Sequence, residues 1–214
     1  MPVRQHVYPV SLLLNGRPCL VIGGGAVALA KIAGLLDAGA VVTVIAADVL
    51  DEIARLPVTV FERRFQAGDT DGFHVVVCAT GDRRLDLEVF AACEGSGTLI
   101  NAADNPDACT FYLPALLRSG NLSVAISTDG SSPAIASWVR DRIAAILGDR
   151  FGDVVDIVAA TRDELRSSGR TSEGLPWSDL IDELASRVRA GASIEDAHEV
   201  AAAWLEQVGK TTKD

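Results

Sequence analysis

An α/β fold, with a doubly wound parallel sheet followed by an all-helical region, is predicted by three observations. Cys19-Leu-Val-Ile-Gly-Gly-Gly-Ala-Val-Ala28 reads as a short apolar strand, a glycine turn and the first turn of a helix, with Gly23, Gly25 and Ala28 in the spacing G-x-G-x-x-A. Gly39-Ala-Val-Val-Thr-Val-Ile-Ala-Ala47 follows one helix later as a second apolar strand and completes a βαβ unit. From Phe151 onward the apolar residues recur with helical period only. Together they describe a Rossmann-like domain near the start of the chain and helices at its end.

In the glycine stretch each small residue has a mechanical use. Gly23 permits the tight turn, Gly25 lets backbone approach a pyrophosphate, and Ala28 lets helix and strand touch. An anion would rest on unpaired N–H groups at the positive end of the helix. The expected cofactor contacts here are Gly23, Gly24, Gly25, Ala26 and Val27. Any strand-to-helix glycine turn can show the same pattern; the βαβ context is what favours a dinucleotide.

Composition bounds the rest. With 214 residues, 49% of them hydrophobic, the chain can build a proper core. It contains no apolar run long enough to span a bilayer, and Met1–His6 lacks the apolar region of a signal peptide, so a cytoplasmic protein is expected. A net charge of −10 disfavours nucleic acid or an anionic membrane as partner, since both demand a basic face. Cys19, Cys78, Cys93 and Cys109 have no C-x-x-C spacing and read as buried reduced thiols. His6, His74 and His198 form no cluster, and no metal ligand is named.

The elements follow in order. Helix one spans about Ala26–Ala38 and is apolar nearly all round, which predicts cover on both sides; Gly39 ends it, and Val41–Ala46 forms strand two. Asp48, about 20 residues past the glycine turn, either holds the adenosine ribose hydroxyls or caps a helix. No arginine stands between Ala46 and Leu50 to clamp a 2′-phosphate, so NAD is expected over NADP. Val58–Glu62 reads as strand three, His74–Ala79 as strand four, Arg83–Glu94 as a helix and Thr98–Asn101 as strand five. Loops at the carboxyl ends of such strands face the ligand crevice, which makes Thr80, Asp82 and Asn101 candidate cofactor contacts, with helix capping the structural use of the first two. Asp104, in the loop after strand five, is placed for chemistry or for an Asx turn ahead of Pro106. Beyond Pro114, Leu122–Ser127 reads as a strand and Ser132–Leu147 as a helix with Pro133 in its first turn. Three helical stripes come next: Val154, Ile157, Val158, Thr161 and Leu165; Leu180, Ile181, Leu184 and Val188; Ile194, Ala197, Ala201, Trp204, Leu205 and Val208. Ser193 and Asp196 have capping-box spacing, and Lys210–Asp214 is a polar tail expected to fray.

Taken together, Tyr8-Pro9, Leu20–Ala28, Lys31, Gly39-Ala40, Phe65–Asp69, Cys78-Ala-Thr80, Asn101–Asp104, Phe111–Pro114 and Ile126–Pro133 resemble the siroheme synthase N-terminal family, over about Tyr8 to Leu147. That family comprises precorrin-2 dehydrogenases, some of which also insert iron into sirohydrochlorin. The resemblance implies an NAD-binding Rossmann domain over residues 1–114, a dimerisation segment over 115–148 that completes the two sites of a homodimer, and a helical C-terminal domain over 149–214. It further implies that precorrin-2 gives a hydride to NAD and a proton to the protein, with Asp104 matching the catalytic aspartate. Ferrous iron would be a second substrate where the chelatase is present.

Arg118, Arg140 and Arg142, near the dimerisation segment, are candidates for meeting the tetrapyrrole carboxylates. The chain departs from the family pattern at Ala26, Ala30, Asp129 and Ser131, where Glu, Arg, Gly and Lys are common. A lost lysine and a gained acid before Pro133 weaken attraction for an anionic tetrapyrrole. Two other readings compete: a non-catalytic NAD(H)-sensing Rossmann module, and an NAD-dependent dehydrogenase of a small metabolite. Sensing modules carry an acid at the very end of strand two, where this chain has Ala46-Ala47, and lack the Ser127–Pro133 loop.

Overall fold

The structure, a computed structural model, describes residues 6–211 and divides into two compact units, 1–113 and 114–214. Met1–Gln5 and the last three residues of the polar tail lie outside the described residues. The first unit holds β1 (Pro18–Ile22), α1 (Ala26–Asp37), β2 (Val41–Ala46), α2 (Asp51–Ala54), β3 (Thr59–Glu62), β4 (Val75–Cys78), α3 (Arg83–Ser96) and β5 (Leu99–Ala102), then one turn of 3-10 helix at Pro106–Ala108. Its five strands run in the order β3-β2-β1-β4-β5, and every pair is parallel. This is the doubly wound order, and it reverses direction between β1 and β4.

Strand periodicity explains the two layers. Cys19 and Val21 of β1 face one way and pack with Ala28, Ile32 and Leu35 of α1 and Ile53 of α2. Leu20 and Ile22 face the other way and pack with Val89 and Cys93 of α3 and Ile100 of β5. A sheet buried on both faces needs continuous apolar strands, and β4, Val75-Val-Val-Cys78, is buried throughout. Helix α1 departs from expectation. It buries one face only, Ala28, Ile32 and Leu35, while Ala26, Val27, Ala30, Ala33 and Gly34 are exposed. Its open face consists mainly of alanine and glycine, which expose little apolar area each, so no cover is required.

In the second unit β6 (Ala115–Ser119) and β7 (Leu122–Ile126) form an antiparallel hairpin, with Ser119 opposite Leu122 and a two-residue turn at Gly120-Asn121. Strand β6 was not expected; Ala-Leu-Leu-Arg-Ser is too short for its period to separate strand from helix. Gly120 adopts φ +52 and its backbone lies against Gly152, where an added Cβ on Gly152 would come within 2.8 Å of the Gly120 nitrogen. Helix α4 (Pro133–Leu147) starts at Ser132, whose hydroxyl accepts from the Ile135 N–H at 3.3 Å. Helices α5 (Phe151–Ser167), α6 (Trp177–Arg189) and α7 (Ile194–Thr211) enclose a core of Val154, Ile157, Leu165, Leu180, Leu184, Val188, Ala197, Ala201, Trp204 and Val208. The three stripes read from the sequence meet there, apart from Ile194, which is exposed, and Ile181, which is half-buried outside this core. Ser193 and Asp196 form the reciprocal cap of α7, each side chain accepting from the other's N–H, at 3.0 and 3.1 Å.

Candidate active site

The site begins where β1 and β4 diverge. Gly23 takes φ +126, and an added Cβ would overlap the Ala79 carbonyl, so the turn after β1 lies directly against the turn after β4. A Cβ on Gly24 would overlap the Asp48 carbonyl, and the Gly24 carbonyl accepts from the Leu50 N–H at 2.9 Å. The middle glycine of the motif is therefore fixed by the loop after β2, a use that the spacing does not reveal. Gly25 differs from both. Its φ of −93 suits any residue, and a Cβ there would meet open space.

That open space lies over an uncapped helix end. The first intrahelical bond of α1 runs from the Leu29 N–H to the Gly25 carbonyl at 3.0 Å, and no side chain caps the helix. The N–H groups of Ala26, Val27 and Ala28 thus have no partner within the helix. A bare glycine, free donors and the positive end of α1 together fit a dinucleotide pyrophosphate.

The loop residues divide into two sets. Asp82 caps α3, its Oδ1 accepting from the N–H groups of Arg84 at 2.9 Å and Leu85 at 3.2 Å. Thr80 Oγ1 accepts from the Asp82 N–H at 3.0 Å and donates to Asp86 Oδ1 at 2.9 Å. Asn101 is buried, and its Nδ2 donates to the Phe111 carbonyl at 3.0 Å. These three side chains hold the protein's own loops. Asp48 and Asp104 are different: both are exposed, and neither side chain has a hydrogen bond or ion pair among the described residues. Asp48 does not cap α2, whose first residue is preceded by Leu50 without a side-chain cap. Asp104 does not form the Asx turn either; its backbone takes φ +59, and the Asn105 N–H bonds to the Ala102 carbonyl at 3.4 Å instead.

A cavity of about 130 Å³ joins these parts, lined by Val27, Ala79, Gly81, Arg83, Asp86, Ala103 and Asp104. It brings the first turn of α1, the loop after β4 and the loop after β5 to one place. Sequence reasoning missed Asp86, which is 2% exposed. It lies on the same buried stripe of α3 as Val89 and Cys93, and an acid on an apolar stripe was the available signal. The nearby thiols are not reactive groups: burial pushes Cys93 up to about 11 and raises Cys78 and Cys109 too, so all three stay protonated near neutrality. All four cysteines are free, as expected. In the loop after β3, Arg63 grips Asp69 with two bonds of 2.7 Å, and the guanidinium holds the Asp69 carboxyl below its usual range.

In the second unit Arg140 pairs with Asp141 at 2.8 Å, and the Arg142 guanidinium lies 5.1 Å from the centre of the Trp138 ring. Arg118 lies on β6. No group of three or more metal-ligating side chains occurs among the described residues, and no described helix is long and apolar enough to cross a membrane.

The sheet order and the glycine turn at its switch point define a nucleotide-binding Rossmann protein, and residues 10–115 match a family of NAD(P)-binding domains. Residues 119–146 match the family described as Sirohaem biosynthesis protein central. The siroheme synthase of Methylococcus capsulatus is 36% identical over 198 residues, covering 90% of this chain and 42% of that protein. The siroheme synthase of Neisseria meningitidis serogroup C is 32% identical over 76% of this chain and 35% of that protein. The chain thus spans less than half the length of these relatives. A solved structure of SirC, precorrin-2 dehydrogenase, matches with a TM-score of 0.67 at 25% identity, covering 95% of this chain and all of that one. The chain belongs to the siroheme synthase N-terminal family.

Proposed function

We propose that this chain oxidises precorrin-2 to sirohydrochlorin in siroheme biosynthesis, with NAD as the hydride acceptor. The observation that carries the reading is one cavity holding both Val27, from the turn that fits the dinucleotide, and Asp104, a carboxylate with no partner among the described residues. Bound NAD supplies two-electron chemistry by accepting a hydride. Gly23, Gly24, Gly25, Ala26 and Val27 hold its pyrophosphate, Asp48 meets the ribose, and Thr80, Asp82 and Asn101 shape the surrounding loops. The Asp104 carboxylate takes the proton that leaves with the hydride, which closes the balance of the reaction. The name of the SirC match supports this substrate, since that match covers 95% of this chain and all of that one. Incubation with precorrin-2 and either NAD or NADP, followed by the absorbance of sirohydrochlorin, tests it. NAD should be the better acceptor, because Asp48 would repel a 2′-phosphate; no product with either cofactor would refute the reading.

The relatives' name, siroheme synthase, supports extending the reading to iron insertion. Asp104 would then draw pyrrole protons as ferrous iron enters sirohydrochlorin. The remaining assignments belong to the same proposal: a cofactor domain over 1–114, a dimerisation segment over 115–148, a helical domain over 149–214, and a cytoplasmic homodimer. The apolar face of α4 supports the dimer, since Ile135, Trp138 and Ile146 are all exposed on one side of that helix.

A further inference from the structure

Asp86 is a buried carboxylate that the proposed chemistry leaves unused. Its two oxygens serve two different loops: Oδ1 accepts from Thr80 Oγ1 at 2.9 Å, and Oδ2 accepts from Asn105 Nδ2 at 3.3 Å. Thr80 belongs to the loop after β4 and Asn105 to the loop after β5, so one side chain ties together two walls of the cavity that contains Asp104. Asn105 is 1% exposed, follows Asp104 directly, and its carbonyl accepts from the Ala108 N–H at 3.0 Å. Its Oδ1 is buried without a partner among the described residues. Asp104 itself holds a left-handed backbone, so the direction of its side chain depends on how the loop around it is held. Packing alone does not call for an acid here. An apolar residue beside Val89 and Cys93 would fill the stripe without desolvating a charge, whereas the carboxylate is kept where two neutral donors and the first turn of α3 meet it.

We propose that Asp86 is a positioning residue for Asp104: by fixing Thr80 and Asn105 it holds the Asp104 carboxylate at its working place in the cavity. It acts on turnover, and leaves cofactor affinity alone. The inference rests on the dehydrogenase reading given above.

The test compares purified full-length variants in three measurements: NAD affinity by calorimetry, melting temperature, and steady-state oxidation of precorrin-2. Wild-type turnover comes first, and its absence overturns the dehydrogenase reading together with this inference. Given wild-type turnover, Asp86→Ala lowers kcat about tenfold or more, the size expected when a reacting group is misplaced by part of an ångström. KM for precorrin-2 and NAD affinity then stay within about threefold of wild type. Asp86→Asn recovers kcat to within about threefold, since its amide accepts from Thr80 and can donate to the Asn105 Oδ1 once that side chain turns over. Thr80→Val removes the same strut from its half-buried end and lowers kcat in the same way, which keeps the test decisive if Asp86→Ala does not fold. Three results overturn the proposal: unchanged kcat in a folded Asp86→Ala or Thr80→Val protein; a loss carried wholly by KM or NAD affinity; or an Asp86→Asn protein as slow as Asp86→Ala with a normal melting temperature. The last would make the charge itself part of the proton transfer.

Discussion

Asp104 holds a backbone conformation that glycine would hold at less cost, and this makes its side chain informative. At φ +59 an aspartate is among the better tolerated residues, yet a glycine there relieves of order 1 kcal/mol of strain. Asp104→Gly should therefore melt at the same or a higher temperature while precorrin-2 oxidation falls by about 10² to 10⁴, the usual range for a lost general base. Asp104→Asn keeps the shape and discards the basicity, and it should be as inactive with an unchanged melting temperature; an active Asn variant would show that the proton leaves by another route. Gly25 supports the complementary experiment. Its backbone is extended and its Cβ direction open, so Gly25→Asp places a legitimate N-cap on α1 and should gain a few tenths of a kcal/mol of stability. The same carboxylate would occupy the proposed pyrophosphate position, and calorimetry should show NAD affinity reduced at least about tenfold by charge repulsion.

Helix α3 and the loop after β3 carry predictions of their own. Asp82 satisfies two of the orphan N–H groups of α3, so Asp82→Ala should cost about 1 kcal/mol, read as a lower denaturation midpoint with unchanged slope. In the β3 loop Asp69 is held by Arg63 from both oxygens and by the Gln66 N–H at 2.7 Å. Its carboxyl is thereby lowered from an ordinary value of 3.8, the hydrogen bonds of Arg63 contributing most. A lowered folded-state value means the folded state binds fewer protons, so this stabilisation is fully present above pH 3.8 and is lost as the pH falls through the folded value. The stability gap between wild type and Asp69→Asn should accordingly be constant from neutrality to that point and close below it, as followed by melting temperature across an acid series.

The assembly question turns on the second unit. One face of α4 exposes Ile135, Trp138 and Ile146, and the guanidinium of Arg142 lies over Trp138. Apolar groups recurring along one side of a helix are the usual composition of a surface that a second copy covers. Light scattering should report about twice 22.5 kDa. Trp138→Glu should shift the mass toward one chain, because it sets a charge in the centre of that face. A monomer that is fully active would remove the basis for placing dimerisation in residues 115–148.

Local chemistry made much of this architecture legible in the chain alone. The βαβ unit, the strand bounds Val41–Ala46, the Ser132 and Ser193–Asp196 caps and the three helical stripes all follow from patterns within a few residues, where period, turn residue and capping geometry agree. The glycine turn was legible for the same reason, including the tight turn at Gly23, whose φ of +126 the structure supplies. Asp104 was legible as a residue at the carboxyl edge of the sheet, and resemblance gave it a role. Three things depended on distant contacts. The demand for Gly24 comes from the Asp48 carbonyl, and the one-sided burial of α1 from what packs on the sheet. The identity of Asp86 as a tie between loops exists only once Thr80 and Asn105, separated by 25 positions, are brought to the two oxygens of one buried carboxylate. A pattern in sequence records what neighbours along the chain require of each other; which polar group a buried acid must satisfy is set by chain segments that meet only on folding.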